Sequence, residues 1–284
     1  MGFRRLLVGQ MERLYVIFAG ELEHLFTRHF VRPEIGFRAD FEVLEIDHRT
    51  RHSRAGRLAR VAEAGTAHLV LQMTGPAAAR WRHVTTVVLL AAVWLAMLLL
   101  GREQLDRSIY EALYAGGRPA LILVARVFTF LGEPTVLVGA GFIIAGWLWH
   151  RGRGRFAVGL LLVILVGRGL AEAQKYWIAR ARPTLEPHLV IVKTSSFPSG
   201  HATSSMIFYL TLALALAPHE WRRTAAAGAV LLSLLVGLSR VMLGVHWPSD
   251  VIGGWSFGLL WVLLTLRPAE RLFGSDSPTA QKQL

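Results

Sequence analysis

Three polar clusters in the last third of the chain interrupt a sequence that is otherwise rich in apolar residues. The clusters lie at residues 175–183, 198–201 and 239–250. Together they supply cations, a hydroxyl, a glycine, two histidines and a carboxylate: Lys175, Arg182, Arg240, Ser199, Gly200, His201, His246 and Asp250. Phosphoryl transfer depends mainly on positioning and on stabilising negative charge, so a dense group of cations beside histidines suits that chemistry.

His246 and Asp250 are four residues apart, so they share a face if this segment is the first turn of a helix. Asp250 then orients one imidazole nitrogen and leaves the other free, which makes His246 an activated nucleophile. A histidine near the end of a membrane span is, however, more often an interfacial residue. Spacing alone therefore leaves both interpretations of His246 open.

His201 follows Ser199 and Gly200 at the predicted start of a helix, where backbone amides favour an anion. This position makes His201 a candidate general acid. Gly200 lets the backbone approach a phosphate closely. The hydroxyl of Ser199 can donate to the phosphate or cap the helix, and the two roles are compatible.

Lys175, Arg182 and Arg240 form a candidate cradle for a phosphate group. Snorkelling at a membrane boundary explains any one of them well. It explains three cations, each inside a polar cluster, less well.

The three clusters resemble, in order and spacing, the signature motifs of the type 2 phosphatidic acid phosphatase family, which shares its catalytic core with vanadium haloperoxidases and bacterial acid phosphatases. That pattern reads Lys, six residues, Arg-Pro; then Pro-Ser-Gly-His; then Ser-Arg, five residues, His, three residues, Asp, and it is complete here. The resemblance covers roughly residues 84–266. It implies that His246 attacks phosphorus and becomes a phosphohistidine, that Asp250 orients it, and that His201 protonates the leaving oxygen. It also implies a phosphate cradle of Lys175, Arg182 and Arg240.

Composition supports a membrane protein. The 284 residues are 53% hydrophobic and yet carry a formal net charge of +12. Basic residues lie beside apolar spans and no recognition motif is visible, so membrane lipids and a lipid phosphate are the expected partners rather than nucleic acid. There is no cysteine, no ligand cluster of the zinc or two-metal type, and no cofactor motif. No feature of the sequence indicates an oligomeric state.

The apolar runs predict an all-α, polytopic membrane protein with six transmembrane helices. The predicted spans are residues 84–100, 134–150, 156–174, 201–217, 224–243 and 250–266. The run at 119–132 is short and contains Arg126, so we expect a helix on the outer surface there. Six spans place the basic connections at 150–155 and 218–223 on the side of the N-terminal flank, which the positive-inside rule assigns to the cytoplasm. The three clusters then face the periplasm or exterior of a cell membrane, and both termini are cytoplasmic.

Three regions follow from this assignment: an arm over residues 1–83, a membrane domain over 84–267 and a cytoplasmic tail over 268–284. Apolar spacing over 3–30 predicts an amphipathic helix in the arm, and residues 55–73 form a candidate second helix. We expect the arm to rest on the membrane surface, with a partner-binding or regulatory module as the alternative.

Arg168, Glu172 and Lys175 share one face of the third predicted span. Charges inside a span are costly and usually face a bundle interior. We expect Glu172 to pair with Arg168 and to steady Lys175. A structural ion pair is one interpretation of this group, and head-group recognition is the other.

These features predict an integral-membrane phosphatase that acts on a lipid phosphate or lipid pyrophosphate. The alternative is a phosphotransferase that passes the phosphate to a lipid or sugar acceptor, because the same phosphohistidine serves both reactions. A non-catalytic receptor has no need of His201, His246 and Asp250 together. A transporter leaves the three clusters unexplained.

Overall fold

The structure is a computed structural model that describes residues 76–101 and 104–274. These residues form α-helices and connecting turns, with no strand among them, as the predicted all-α class requires. The helices are α1 (Pro76–Leu100), α2 (Gln104–Leu113), α3 (Pro119–Leu131), α4 (Pro134–His150), α5 (Gly154–Ile178), α6 (Gly200–Leu216), α7 (Arg222–Met242) and α8 (Pro248–Phe273).

Local sequence explains several helix ends. Pro119, Pro134 and Pro248 are the first residues of α3, α4 and α8. Proline suits this position because its fixed φ is helical and its missing N–H has no partner there in any helix. Helix α5 ends at Ala179, which adopts a left-handed conformation with φ of 48°.

The described helices make this a multi-pass membrane protein. Helices α1, α5, α7 and α8 are each long and apolar enough to cross a membrane, and α3 with α4 qualifies as one pair bent by 41°. Helix α6 is apolar but has 17 residues, fewer than an average span needs. The six-span count and the surface position of α3 stay predictions.

Some boundaries differ from the predicted ones. Helix α1 begins at Pro76 rather than at residue 84, and α8 continues through Pro268 to Phe273 rather than ending at 266. The polar segment after α1 forms α2, which the sequence did not predict; it is held by Asp106 and Tyr110, which are buried one turn apart. The arm before residue 76 and the tail after 274 lie outside the described residues, so the three regions stay predictions.

Helix α6 packs against α4, α5, α7 and α8. Its contact with α8 is close because two glycines of α8 face it. A Cβ at Gly254 would lie 2.8 Å from the carbonyl oxygen of Ser199, and a Cβ at Gly258 would lie 2.9 Å from the Cβ of Met206. Small residues at four-residue spacing thus allow the helices to approach.

The three polar clusters meet at one end of these packed helices. The first cluster begins in the last turn of α5, the second leads into the start of α6, and the third joins the end of α7 to the start of α8. A hydrogen bond of 2.9 Å from the backbone N–H of Ser199 to the carbonyl of Asp250 ties the second cluster to the third.

Candidate active site

His246 lies in the turn between α7 and α8. Gly244 shapes this turn with φ of 78°, a conformation that favours glycine, and its carbonyl accepts a 3.3 Å hydrogen bond from the Tyr110 hydroxyl. Helix α8 begins only at Pro248. The condition that one helical turn contains both His246 and Asp250 is therefore not met, although the turn still brings the two side chains together.

The link between His246 and Asp250 includes a serine. Nδ1 of His246 lies 3.5 Å from Oδ2 of Asp250, which is long for a hydrogen bond. The hydroxyl of Ser196 lies 3.3 Å from the same Nδ1 and donates to the same carboxylate oxygen. The backbone N–H of Trp247 donates to that oxygen as well, at 2.9 Å. Asp250 therefore orients the imidazole together with the Ser196 hydroxyl.

Arg182 occupies the other side of the His246 ring. Its Nη1 lies 3.2 Å from Nε2 of His246 and donates a 2.6 Å hydrogen bond to the carbonyl of Val245. A guanidinium has donors only, so Nε2 must be the acceptor and carry no proton. This network assigns the neutral tautomer with the proton on Nδ1, facing Ser196 and Asp250.

Electrostatics favour the same neutral state. Burial lowers the pKa of His246 well below its usual range, and the positive charges of Arg182, Arg240 and Lys175 lower it further. The imidazole therefore stays neutral at neutral pH, and its Nε2 lone pair faces Arg182, one of the cations of the predicted cradle.

Lys175 is buried at the end of α5. Its Nζ lies 3.6 Å from Oε1 of Glu172 and 3.4 Å from Oγ1 of Thr194. A Cβ at Gly200 would lie 2.9 Å from this ammonium, so the glycine makes room for Lys175.

The predicted pair between Arg168 and Glu172 is wrong. Among the ion pairs of residues 76–101 and 104–274, Glu172 is joined to Lys175 instead, and the Lys175 ammonium also lies 3.4 Å from Oγ1 of Thr194. Nη1 of Arg168 is buried and has no hydrogen-bond partner within the described part of the chain. The expected contact between Glu172 and Lys175 is present at 3.6 Å, and the steadying role of Glu172 stays a prediction.

Arg240 and Ser199 both keep unused polar atoms at the site. Arg240 donates to the hydroxyl of Thr129, whereas its Nε is buried without a hydrogen-bond partner among the described residues. The buried hydroxyl of Ser199 also has no partner there. Ser199 occupies the N-cap position of α6, yet its side chain makes no capping hydrogen bond.

His201 faces a carboxylate that the sequence analysis did not assign to the site. Nε2 of His201 lies 3.1 Å from Oε2 of Glu133, in the break between α3 and α4. Glu133 could have been noticed in the sequence, because a carboxylate between two apolar runs is costly unless it has a partner.

Arg180 is a second residue that the sequence analysis missed. Its Nη1 lies 2.9 Å from Oδ1 of Asp250 and donates to Ser249 at 3.1 Å, and its Nη2 donates to the carbonyl of Met97 at 2.8 Å. The guanidinium also lies 4.3 Å from the ring centroid of Phe197. Arg180 is a third cation in the first cluster, two residues before Arg182, but the sequence shows no partner for it.

Comparison with known proteins places these features in a family. The model of the PAP2 superfamily matches residues 156–272. Phosphatidylglycerophosphatase B of Bacillus subtilis is 34% identical over 175 residues, which are 57% of this chain and 82% of that protein. An undecaprenyl-diphosphatase of Sulfolobus acidocaldarius is 37% identical over 108 residues, which cover 36% of this chain and 50% of that one.

A solved structure supports the same family assignment. The crystal structure of a transmembrane PAP2-type phosphatidylglycerolphosphate phosphatase from Bacillus subtilis superposes with a TM-score of 0.60 and 30% identity, covering 69% of this chain and 98% of that one. The superposition extends over nearly all of that relative. The residues matched by the family model, 156–272, include all three polar clusters. This chain therefore belongs to the PAP2 superfamily.

Proposed function

We propose that this protein is an integral-membrane lipid phosphatase that hydrolyses a lipid phosphate or lipid pyrophosphate through a phosphohistidine at His246. The observation that carries the proposal is the pair of contacts on the two ring nitrogens of His246. Ser196 and Asp250 face Nδ1, and Arg182 lies 3.2 Å from Nε2. The names of two relatives, a phosphatidylglycerophosphatase and an undecaprenyl-diphosphatase, support a lipid phosphate as the substrate class.

In the first step, Nε2 of His246 attacks phosphorus. The N–P bond forms as the bond from phosphorus to the lipid oxygen breaks, and His201 gives that oxygen a proton. The imidazole becomes positive as it attacks, and Asp250 stabilises this charge through Nδ1. The cations Lys175, Arg182 and Arg240 hold the phosphoryl oxygens.

In the second step, water attacks the phosphohistidine. His201 takes a proton from the water, the new P–O bond forms and the N–P bond breaks, which restores Nε2 of His246 and releases phosphate. Proton and charge therefore balance over the cycle. Attack by a hydroxyl of another molecule in place of water gives phosphotransfer.

Ser199, Gly200 and Arg240 complete the cradle in this proposal. The N-terminus of α6 presents backbone N–H groups and the positive end of its dipole to an anion. The Ser199 hydroxyl and Arg240 Nε are buried donors without a hydrogen bond among the described residues, and an unpaired buried donor costs about 1–3 kcal/mol. In this proposal, the oxygens of a bound phosphate accept hydrogen bonds from both donors.

We further propose that the site opens on the extracytoplasmic side. The basic connections at residues 151–155 and 218–223 lie at the helix ends opposite to those that carry the clusters. Basic loops usually remain in the cytoplasm, and this rule supports an extracytoplasmic position for the clusters.

The proposal is tested by phosphate release from purified protein in detergent with metal ions chelated. The panel contains phosphatidic acid, phosphatidylglycerol phosphate, undecaprenyl pyrophosphate and a lipid A phosphate. The catalytic variant is His246→Ala. The control is His150→Ala, which changes an exposed histidine at the C-terminal end of α4, the end away from Glu133.

We expect release from at least one lipid by the parent protein and the control, and none by His246→Ala. The cradle replaces metal ions in this proposal, so the chelator has no effect. Within residues 76–101 and 104–274, no group of three or more His, Cys, Asp or Glu side chains is placed to hold a metal ion. If folded protein binds vanadate but releases no phosphate from any lipid, hydrolysis is wrong and phosphotransfer replaces it.

A further inference from the structure

We propose that Glu133 is a positioning residue for His201, which it orients for proton transfer to the departing lipid oxygen. The inference rests on the proposed function, in which His201 is the general acid. It assigns a role to a carboxylate outside the three clusters, 68 residues before its partner along the chain.

The side chain of Glu133 is not explained by helix capping. Glu133 is the N-cap residue of α4, but its carboxylate accepts no capping hydrogen bond from the backbone. Instead, Oε2 lies 3.1 Å from Nε2 of His201, whose side chain is 13% exposed. The same segment reaches the site a second time, because Thr129 of α3 accepts a hydrogen bond from Arg240. The end of α3 and the break that follows it thus contact two residues of the site.

The surroundings of His201 disfavour a protonated imidazole. Burial has the largest effect, and the positive charges of Arg240 from α7 and Lys175 from α5 add to it. His246, from the turn after α7, also lies close enough to interact. Glu133 faces His201 from the α3–α4 break and favours the protonated ring. A general acid must hold its proton until the bond breaks, so this carboxylate opposes the effect of the phosphate cradle.

The contact also selects the nitrogen that acts. With the Nε2–H of His201 donated to Glu133, the Nδ1–H is the one available to the leaving group. As Nε2 of His246 bonds to phosphorus, the P–O bond to the lipid breaks, and the Nδ1 proton of His201 moves to the lipid oxygen. His201 ends this step neutral and is reprotonated when water attacks the phosphohistidine.

A positioning role for the acid predicts dependence on the leaving group. An alkoxide needs a proton to depart, whereas a nitrophenolate does not, so loss of the acid slows only the first. The substrates are dodecyl phosphate and a nitrophenyl phosphate that carries a dodecyl chain. The variants are Glu133→Gln, Glu133→Asp, His201→Ala and, as a matched control, Glu111→Gln, which neutralises an exposed carboxylate on α2.

We expect Glu133→Gln to lower kcat/KM for dodecyl phosphate by about 10-fold, part of the roughly 10²–10⁴-fold that general acid catalysis supplies, with less than a twofold effect on the nitrophenyl ester. Glu133→Asp should recover part of the loss, and Glu111→Gln should match the parent. Equal losses with both esters, or no loss, would overturn the role of Glu133. If His201→Ala shows no leaving-group dependence, the general acid assignment itself is wrong. A parent protein that hydrolyses neither ester overturns the proposed function and this inference with it.

Discussion

At the scale of single residues, the state of His246 decides the chemistry. A nucleophilic imidazole must be neutral, with its lone pair directed at phosphorus. The guanidinium of Arg182 cannot accept a hydrogen bond, so its contact with Nε2 requires that lone pair. Ser196 and Asp250 hold the opposite nitrogen. The ring is therefore oriented from both sides before substrate binds.

This arrangement predicts activity at mildly acidic pH. Burial and then Arg182 lower the pKa of His246, so the ring becomes protonated only well below the usual value of about 6.5. We expect the acidic limb of the kcat/KM profile to lie below that value. Replacing Arg182 with Gln removes one of the charges and should move the limb upward, in addition to weakening phosphate binding. A limb at the same pH in both proteins would contradict the assigned role of the Arg182 charge.

Arg180 should matter for stability and for activity. Arg180 and Asp250 are both buried and 2.9 Å apart, so Arg180→Met leaves a carboxylate without its cation. Breaking such a pair costs about 3–5 kcal/mol. In Arg180→Met protein that still folds, a displacement of Asp250 by about 1 Å would lower kcat by about 10²-fold. Thermal unfolding and phosphate release in detergent measure both effects.

The control for Arg180→Met is Arg126→Met. Arg126 is exposed on α3 and donates a long hydrogen bond of 3.4 Å to the carbonyl of Leu189. Its replacement should change the free energy of unfolding by less than about 0.5 kcal/mol. Similar stabilities for the two variants would show that the contact of Arg180 with Asp250 is not the source of the loss.

At the scale of elements, close packing of α8 on α6 places the second cluster against the third. Gly254 is central to this contact, since its Cα faces the carbonyl oxygen of Ser199. Backbone atoms of two helices are close here, and neither helix can shift without moving Ser199 or Asp250.

Gly254→Ala should therefore destabilise the protein by about 1–3 kcal/mol and reduce phosphate release, because the new Cβ would lie 2.8 Å from a backbone oxygen. Gly228 of α7 is the matched control, since a Cβ there meets no atom within 4 Å. Gly228→Ala should be neutral or stabilising by up to about 1 kcal/mol. Equal effects of the two changes would mean that helix propensity, and not the α6–α8 contact, sets the outcome.

The sequence predicts the long helices better than it predicts the side-chain contacts of the site. Long apolar runs predict α5, α7 and α8 because a span has a length and composition of its own. Helix α2 was missed because its two buried residues, Asp106 and Tyr110, are a polar and an aromatic residue in a charged segment. Contacts such as Arg180 with Asp250 join residues 70 positions apart, and no local pattern specifies them.

At the scale of the whole molecule, the orientation in the membrane fixes which lipids reach the site. The chain contains no cysteine, so single cysteines can report sidedness without a background. We expect Ile191→Cys, at a 91% exposed position between the first two clusters, to react with an impermeant thiol reagent on intact cells. His219→Cys, in the basic connection before α7, should react only after permeabilisation. The reverse pattern would place the site on the cytoplasmic side.

The claim that the site forms a phosphohistidine at His246 is tested most directly by trapping it. Protein mixed with phosphatidylglycerol phosphate labelled in its terminal phosphate is quenched within milliseconds in alkaline detergent, and the labelled residue is located by peptide mapping. The account predicts an acid-labile, alkali-stable label on His246 in the parent protein and none in His246→Ala. Label on another residue, or label retained in His246→Ala, would contradict it.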